Sequence, residues 1–162
     1  MHELKQAAAE FLAPGHRIAV VGVARDDALP ANHIYRRLRA QGYAAFAVNP
    51  HADRVEGDVC YRTLAAIEGG VDGVVIGTPP AAALGLVEEC ARLGITRVWL
   101  HRGPGPGSDS AEAVRYCEAH DIAVIPGACP MMFLAPVDLA HRCMCWVMGK
   151  LGKLPGAGSY TV

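Results

Sequence analysis

The sequence predicts an α/β fold, a doubly wound parallel sheet of about five strands with helices on both faces. Three observations carry this. Short runs rich in Val and Ile alternate with longer helical patterns, which implies βαβ units. The runs are nearly continuous in apolar residues rather than alternating, as strands covered on both faces are. Each run also delivers the chain into a turn that contains glycine or proline. A length of 162 residues suits one domain with a real core, and 52% hydrophobic against 19% charged residues argues against disorder.

The first helix is expected over His2–Leu12 and the first strand over Ile18–Val23. That strand ends in Gly22 and a polar turn. Glycine lets backbone come close to a phosphate, and a helix N-terminus beyond it stabilises negative charge. The full G-x-G-x-x-G fingerprint is absent, because Ala24 and Asp27 stand where the other glycines would fall. A helix over Ala31–Gln41 stops at Gly42, and a second strand over Ala44–Val48 runs into Asn49-Pro50. A short helix over Tyr61–Ile67 precedes the third strand, Gly73–Gly77. Thr78 reads as the N-cap of a helix over Pro80–Leu93, which Gly94 ends. The fourth strand is Arg97–His101, and Ser108 or Asp109 would cap a helix over Ser110–Ala119. The fifth strand is Ile122–Ile125 and the last helix Leu134–Met148. Residues 1–151 read as one domain and residues 152–162 as a Gly/Pro-rich tail expected to fray.

Right-handed crossovers bring every strand C-terminus to one edge, where open α/β sheets bind ligands. Dinucleotide sites usually place Asp or Glu after the second strand to hold the adenosine ribose. Here Asn49-Pro50 stands instead, as a pocket wall or simply as a turn. With the missing glycines, this argues against NAD. Thr78-Pro79-Pro80 caps a helix and also offers a flat apolar wall for an adenine or a pantetheine arm. Arg25 and Arg102 are candidate phosphate partners at this edge. The segment Gly103–Gly107 reads as an anion cradle or as a plain linker. His101 and Cys129 are the edge's nucleophile or base candidates, without an evident orienting third group.

A formal net charge of −1 argues against broad attraction to nucleic acid or an anionic membrane. No apolar run approaches the ~20 residues of a spanning helix. The N-terminus lacks the basic-then-apolar order of a signal peptide. A cytoplasmic protein is therefore expected, its six cysteines mostly free thiols. Cys90 and Cys117 fall in helical patterns as small core hydrophobes. Cys143 and Cys145 would point about 200° apart on a helix, which suits neither a disulfide nor a shared metal. No metal site is expected. The last helix, with Met144 and Trp146, reads as core packing or as a homodimer contact.

Taken together, these strand ends resemble the CoA-binding domain family, which includes small stand-alone bacterial proteins and the N-terminal domain of the succinyl-CoA synthetase α subunit. The matching pieces are Ile18–Ala24, Val48-Asn49-Pro50, Gly77-Thr78-Pro79, Val98–His101 and Ile125–Pro130, within residues 14 to 135. The resemblance implies a Rossmann-like sheet with CoA, or an acyl-CoA, lying across the strand C-termini. Gly22, Val23, Ala24, Arg25 and Asp26 would meet its phosphates. Asn49-Pro50 and Thr78-Pro79 would meet the adenosine end, and Ala128, Cys129 and Pro130 the pantetheine. The synthetases place their phosphorylated histidine in a further domain, for which this chain is too short, and no histidine here matches that motif. The reading is a binding module for a small-molecule nucleotide ligand, without catalysis inferable from sequence. The alternatives are a nucleotide-dependent oxidoreductase, a ligase component needing a partner chain, or a redox or regulatory protein using Cys129.

Overall fold

Ile18 and Val20 face one core, while Ala19 and Val21 face another. This two-sided burial is why the strand runs carry no polar alternation. The computed structural model describes residues 2–103, 107–151 and 154. It contains α1 (His2–Phe11), β1 (Arg17–Val21), α2 (Pro30–Ala40), β2 (Ala44–Val48), β3 (Arg54–Val55), β4 (Asp58–Tyr61), β5 (Gly73–Ile76), α3 (Pro80–Arg92), β6 (Arg97–His101), α4 (Ala111–Ala119), β7 (Ala123–Ala128) and α5 (Leu139–Lys150). The strands form a seven-stranded sheet in the order β3-β4-β2-β1-β5-β6-β7, parallel except for the β3–β4 pair.

Helices α1 and α2 cover one face through Leu4, Phe11, Ile34 and Leu38. Helices α3 and α4 cover the other through Val87, Cys90, Ala113 and Cys117. Burial pushes the Cys90 and Cys117 thiols up to about 12, so both stay protonated as core hydrophobes. Trp99 is fully buried and donates its indole N–H to the Ala128 carbonyl at 2.8 Å. Phe11 meets it edge-on at 5.4 Å. This bond ties the middle of β6 to the end of β7. No helix among the described residues is long and apolar enough to cross a membrane.

The parallel α/β architecture is as expected, with four corrections. The sheet has seven strands because a hairpin extends its edge beyond β2. Its turn, Glu56-Gly57, has positive φ at both residues (51° and 80°), the geometry that matches strand twist in a two-residue hairpin. The helix expected over Tyr61–Ile67 is only a 3-10 turn at Leu64–Ala66, since Tyr61 closes β4 beside β2. The last helix begins at Leu139 rather than Leu134. Pro136 disfavours helix at the residue before it, and the Asp138 carboxylate accepts the His141 N–H at 2.9 Å as the cap. The other caps also shift. Ser110 caps α4, and Pro79 holds the N-cap position of α3, where no side chain caps the helix. Most of the expected tail lies outside the described residues.

Candidate functional site

Chain order and sheet order diverge at the centre of the sheet. From β1 the chain passes through α2 to β2 on one side; from β5 it passes through α3 to β6 on the other. The crevice between the ends of β1 and β5 is thus the topological switch point, where open α/β sheets bind ligands. Two glycines floor it. Gly22 has φ of +99°, and a Cβ there would stand 3.1 Å from the Gly77 carbonyl carbon. A Cβ on Gly77 would stand 2.9 Å from the Ala31 Cβ and 3.1 Å from the Val21 carbonyl oxygen. Glycine at both positions lets β1, β5 and the first turn of α2 close on one another. Leu29, at the N-cap of α2, makes no side-chain cap bond, and the helix begins Pro30-Ala31. That terminus keeps its partial positive charge for another acceptor.

The loop after β1 is held from behind. Val23 is fully buried. Asn32, also fully buried, accepts the Ala24 N–H at 3.0 Å and donates to the Ala24 carbonyl at 2.8 Å. It donates as well to Glu56 at 2.6 Å, and Arg36 reaches the same carboxylate oxygen at 2.7 Å. Burial works to raise the Glu56 pKa, but the hydrogen bonds from Asn32 and Arg36 outweigh it and leave the carboxyl below its ordinary value. Asp26 closes the loop by accepting the Ala28 N–H at 3.1 Å. Asn32, Arg36 and Glu56, which sequence reasoning missed, support this loop. Their only signal was a polar residue on the inward face of an otherwise apolar helix stripe.

Both ends of the Asn49 amide are committed to backbone. Its Nδ2 donates to the Val23 carbonyl at 3.0 Å, and its Oδ1 accepts the His51 N–H at 2.9 Å. Asn49 therefore staples the loop after β2 to the loop after β1, while Pro50 is exposed beside it. After β5, the Thr78 carbonyl accepts the Ser108 hydroxyl, and the buried Thr78 hydroxyl has no partner among the described residues. Pro79 is exposed.

The two candidate arginines differ. Arg102 is half-buried and pairs with Asp109 at 2.9 Å, and its N–H donates to the Ala128 carbonyl at 3.1 Å. Arg25 is exposed, and among the described residues its guanidinium makes only a long 3.4 Å contact to the His51 carbonyl. Of the two, Arg25 can turn to an anion without breaking an ion pair. Residues 104–106, the middle of the glycine- and proline-rich segment after β6, lie outside the described residues.

His101, Cys129 and the first turn of α2 meet at a cavity of about 480 Å³, closed on its far side by α5 through His141 and Met144. His101 and Cys129 are each 5% exposed, and Ala128 and Pro130 are buried. Burial lowers the His101 pKa to about 4 and pushes the Cys129 thiol up to about 11. At neutral pH the pair is a neutral imidazole and a protonated thiol, not a thiolate nucleophile. Pro30 lines this cavity while its neighbour Ala31 packs on Gly77, so crevice and cavity flank the same helical turn.

A parallel α/β sheet with a glycine-floored crevice at its switch point is a Rossmann-like domain. The family model for the CoA binding domain matches residues 16–135, and the chain belongs to that family. Over 80 residues the chain is 31% identical to the ADP-forming acetate–CoA ligase II of Archaeoglobus fulgidus. That stretch is 48% of this chain but only 12% of the ligase. A hypothetical protein from Pyrococcus horikoshii shares the fold with a TM-score of 0.74, at 22% identity over 82% of this chain and 91% of its own. The dinucleotide-forming acetyl-coenzyme A synthetase 1 of Candidatus Korarchaeum cryptofilum matches at 26% identity and a TM-score of 0.62. The match covers 72% of this chain and 27% of that one.

Proposed function

We propose that this protein holds CoA or an acyl-CoA across the C-terminal edge of its sheet. The observation that carries the reading is the Gly22–Gly77 crevice beneath the uncapped N-terminus of α2. Backbone amides and the helix end there suit a pyrophosphate. Arg25 adds a mobile cation, and the apolar cavity beside Pro30 suits the pantetheine arm. Asn49, engaged by backbone on both sides, offers no carboxylate for an NAD ribose. The similarity to a small part of a much longer ligase supports a second reading, in which this domain serves as the CoA-holding component of a ligase and a partner supplies the chemistry.

Calorimetric titration with CoA and NAD tests the proposal. Tighter binding of NAD, or no binding of CoA at millimolar concentration, would overturn it. Arg25→Ala is expected to weaken CoA by about 1–3 kcal/mol, the range for hydrogen bonds to charged groups. Loss of the 3′-phosphate, in dephospho-CoA, should shrink that penalty if Arg25 meets this phosphate and leave it unchanged if Arg25 meets the pyrophosphate. Arg102→Ala should change CoA affinity by less than ~0.5 kcal/mol, because its guanidinium is already spent on Asp109. If Arg25→Ala binds like the parent while Arg102→Ala does not, the assignment of the phosphate end is wrong.

A further inference from the structure

The cavity between β6, β7 and α5 has a composition that a pantetheine arm alone does not require. Ile34, Met131 and Met144 supply apolar walls, and methionine packs adaptably against chains of varying shape. The His101 ring lines the same space, 5% exposed, and makes no side-chain hydrogen bond among the described residues. Gly103 borders the ring: a Cβ there would stand 3.7 Å from its Cε1 and 3.8 Å from its Nε2. Without a side-chain partner among the described residues, its N–H is open to an acceptor placed in that space. At the mouth, the Asp138 carboxylate is engaged by the His141 ring at 2.7 Å. No lysine or arginine is among the described residues that line the space. The outer wall belongs to α5, which begins at Leu139, beyond residue 135 where the family match ends.

We infer that this cavity receives an uncharged acyl group carried on the thioester sulfur of the CoA proposed above, with the acyl chain against Ile34, Met131 and Met144 and the His101 N–H on the thioester carbonyl. The inference rests on the CoA reading and adds a substrate class to it. A neutral imidazole has one N–H to donate, which serves a carbonyl oxygen and brings no positive charge to offset a carboxylate's desolvation. An acyl group ending in a carboxylate would lose its hydration against apolar walls and meet the Asp138 carboxylate, while the two other imidazoles of the lining are already engaged, His141 by Asp138 and His33 by Arg36.

The test is calorimetric titration of the full chain with CoA, butyryl-CoA, hexanoyl-CoA and succinyl-CoA at one ionic strength. Each methylene buried is worth roughly a fourfold gain in affinity. Hexanoyl-CoA should therefore bind on the order of tenfold tighter than butyryl-CoA, and succinyl-CoA no tighter than CoA. In Met144→Trp, which fills the space from the α5 side, the ratio of hexanoyl-CoA to CoA affinity should fall to about one. Equal binding of CoA and hexanoyl-CoA by the parent overturns the inference while leaving the CoA reading intact. Tighter binding of succinyl-CoA than of butyryl-CoA also overturns it, as does a chain-length preference that survives Met144→Trp. Failure of all four ligands to bind removes the CoA reading and this inference together.

Discussion

A valine at position 22 is expected to abolish CoA binding and to lower stability by about 3 kcal/mol or more, the sum of a strained backbone and an overpacked contact. Gly22 sits at φ +99°, a region that β-branched residues avoid. The collision adds to the strain. Two of the three nearest atoms to a Cβ there are the Gly77 carbonyl carbon and oxygen, at 3.1 and 3.2 Å. That backbone cannot retreat cheaply, because the Gly77 N–H is bonded to the Val21 carbonyl at 2.9 Å and a shift would drive Gly77 toward Ala31. The loop that would meet the pyrophosphate must therefore move. Gly42 is the control. It also has positive φ, +81°, but a Cβ there meets nothing within 4 Å. Gly42→Val should show backbone strain alone and leave CoA affinity unchanged. Denaturant unfolding and calorimetry on both variants separate the two effects. Gly22→Val binding CoA like the parent would remove the crevice from the site.

The central sheet was legible because burial on both faces writes itself into sequence as unbroken runs such as Ile18–Val21 and Val74–Ile76. The edge hairpin was not. Its β3 has two residues, too few for periodicity, and Glu-Gly is a weaker turn signal than Asn-Gly or Asp-Gly. Strand-end glycines pointed to the crevice, since topology alone brings those ends to one edge. Which cation is free was hidden, because the Arg102–Asp109 pair depends on how the loop after β6 folds back. Asn32 stood out only as a polar residue on the inward face of α2. Its role as a clamp on Ala24 depends on Glu56, 24 positions away on a hairpin the sequence did not announce. His101 and Cys129 were legible as an edge pair. Their chemistry was not, because the burial that neutralises both comes from α2, the 3-10 turn at Pro130–Met132 and α5 together.

Acidification is expected to destabilise the protein through His101 by on the order of 3 kcal/mol, the free-energy equivalent of the gap between its folded pKa of about 4 and the ordinary 6.5. Burial is the cause: a charged imidazole cannot be hydrated in that cavity, whereas the unfolded chain charges it freely. The sign follows from proton counts. Above pH ~6.5 neither state binds the proton, and the neutral ring contributes its full stability. Between pH ~6.5 and ~4 the unfolded state binds more protons, so stability falls as pH falls and levels off once both states are charged. The slope is assigned to His101 by substitution. His101→Phe keeps an aromatic ring of similar shape and removes the titration. Its unfolding free energy should change less between pH 7 and pH 5 than that of the parent, by up to about 2 kcal/mol of the 3 available. In the parent, the His101 ring protons should hold neutral chemical shifts at pH 5.5, well above its folded pKa of about 4. A parent and variant with the same pH slope, or a His101 ring that titrates near 6.5, would mean that water enters the cavity freely and that its apolar character has been misread.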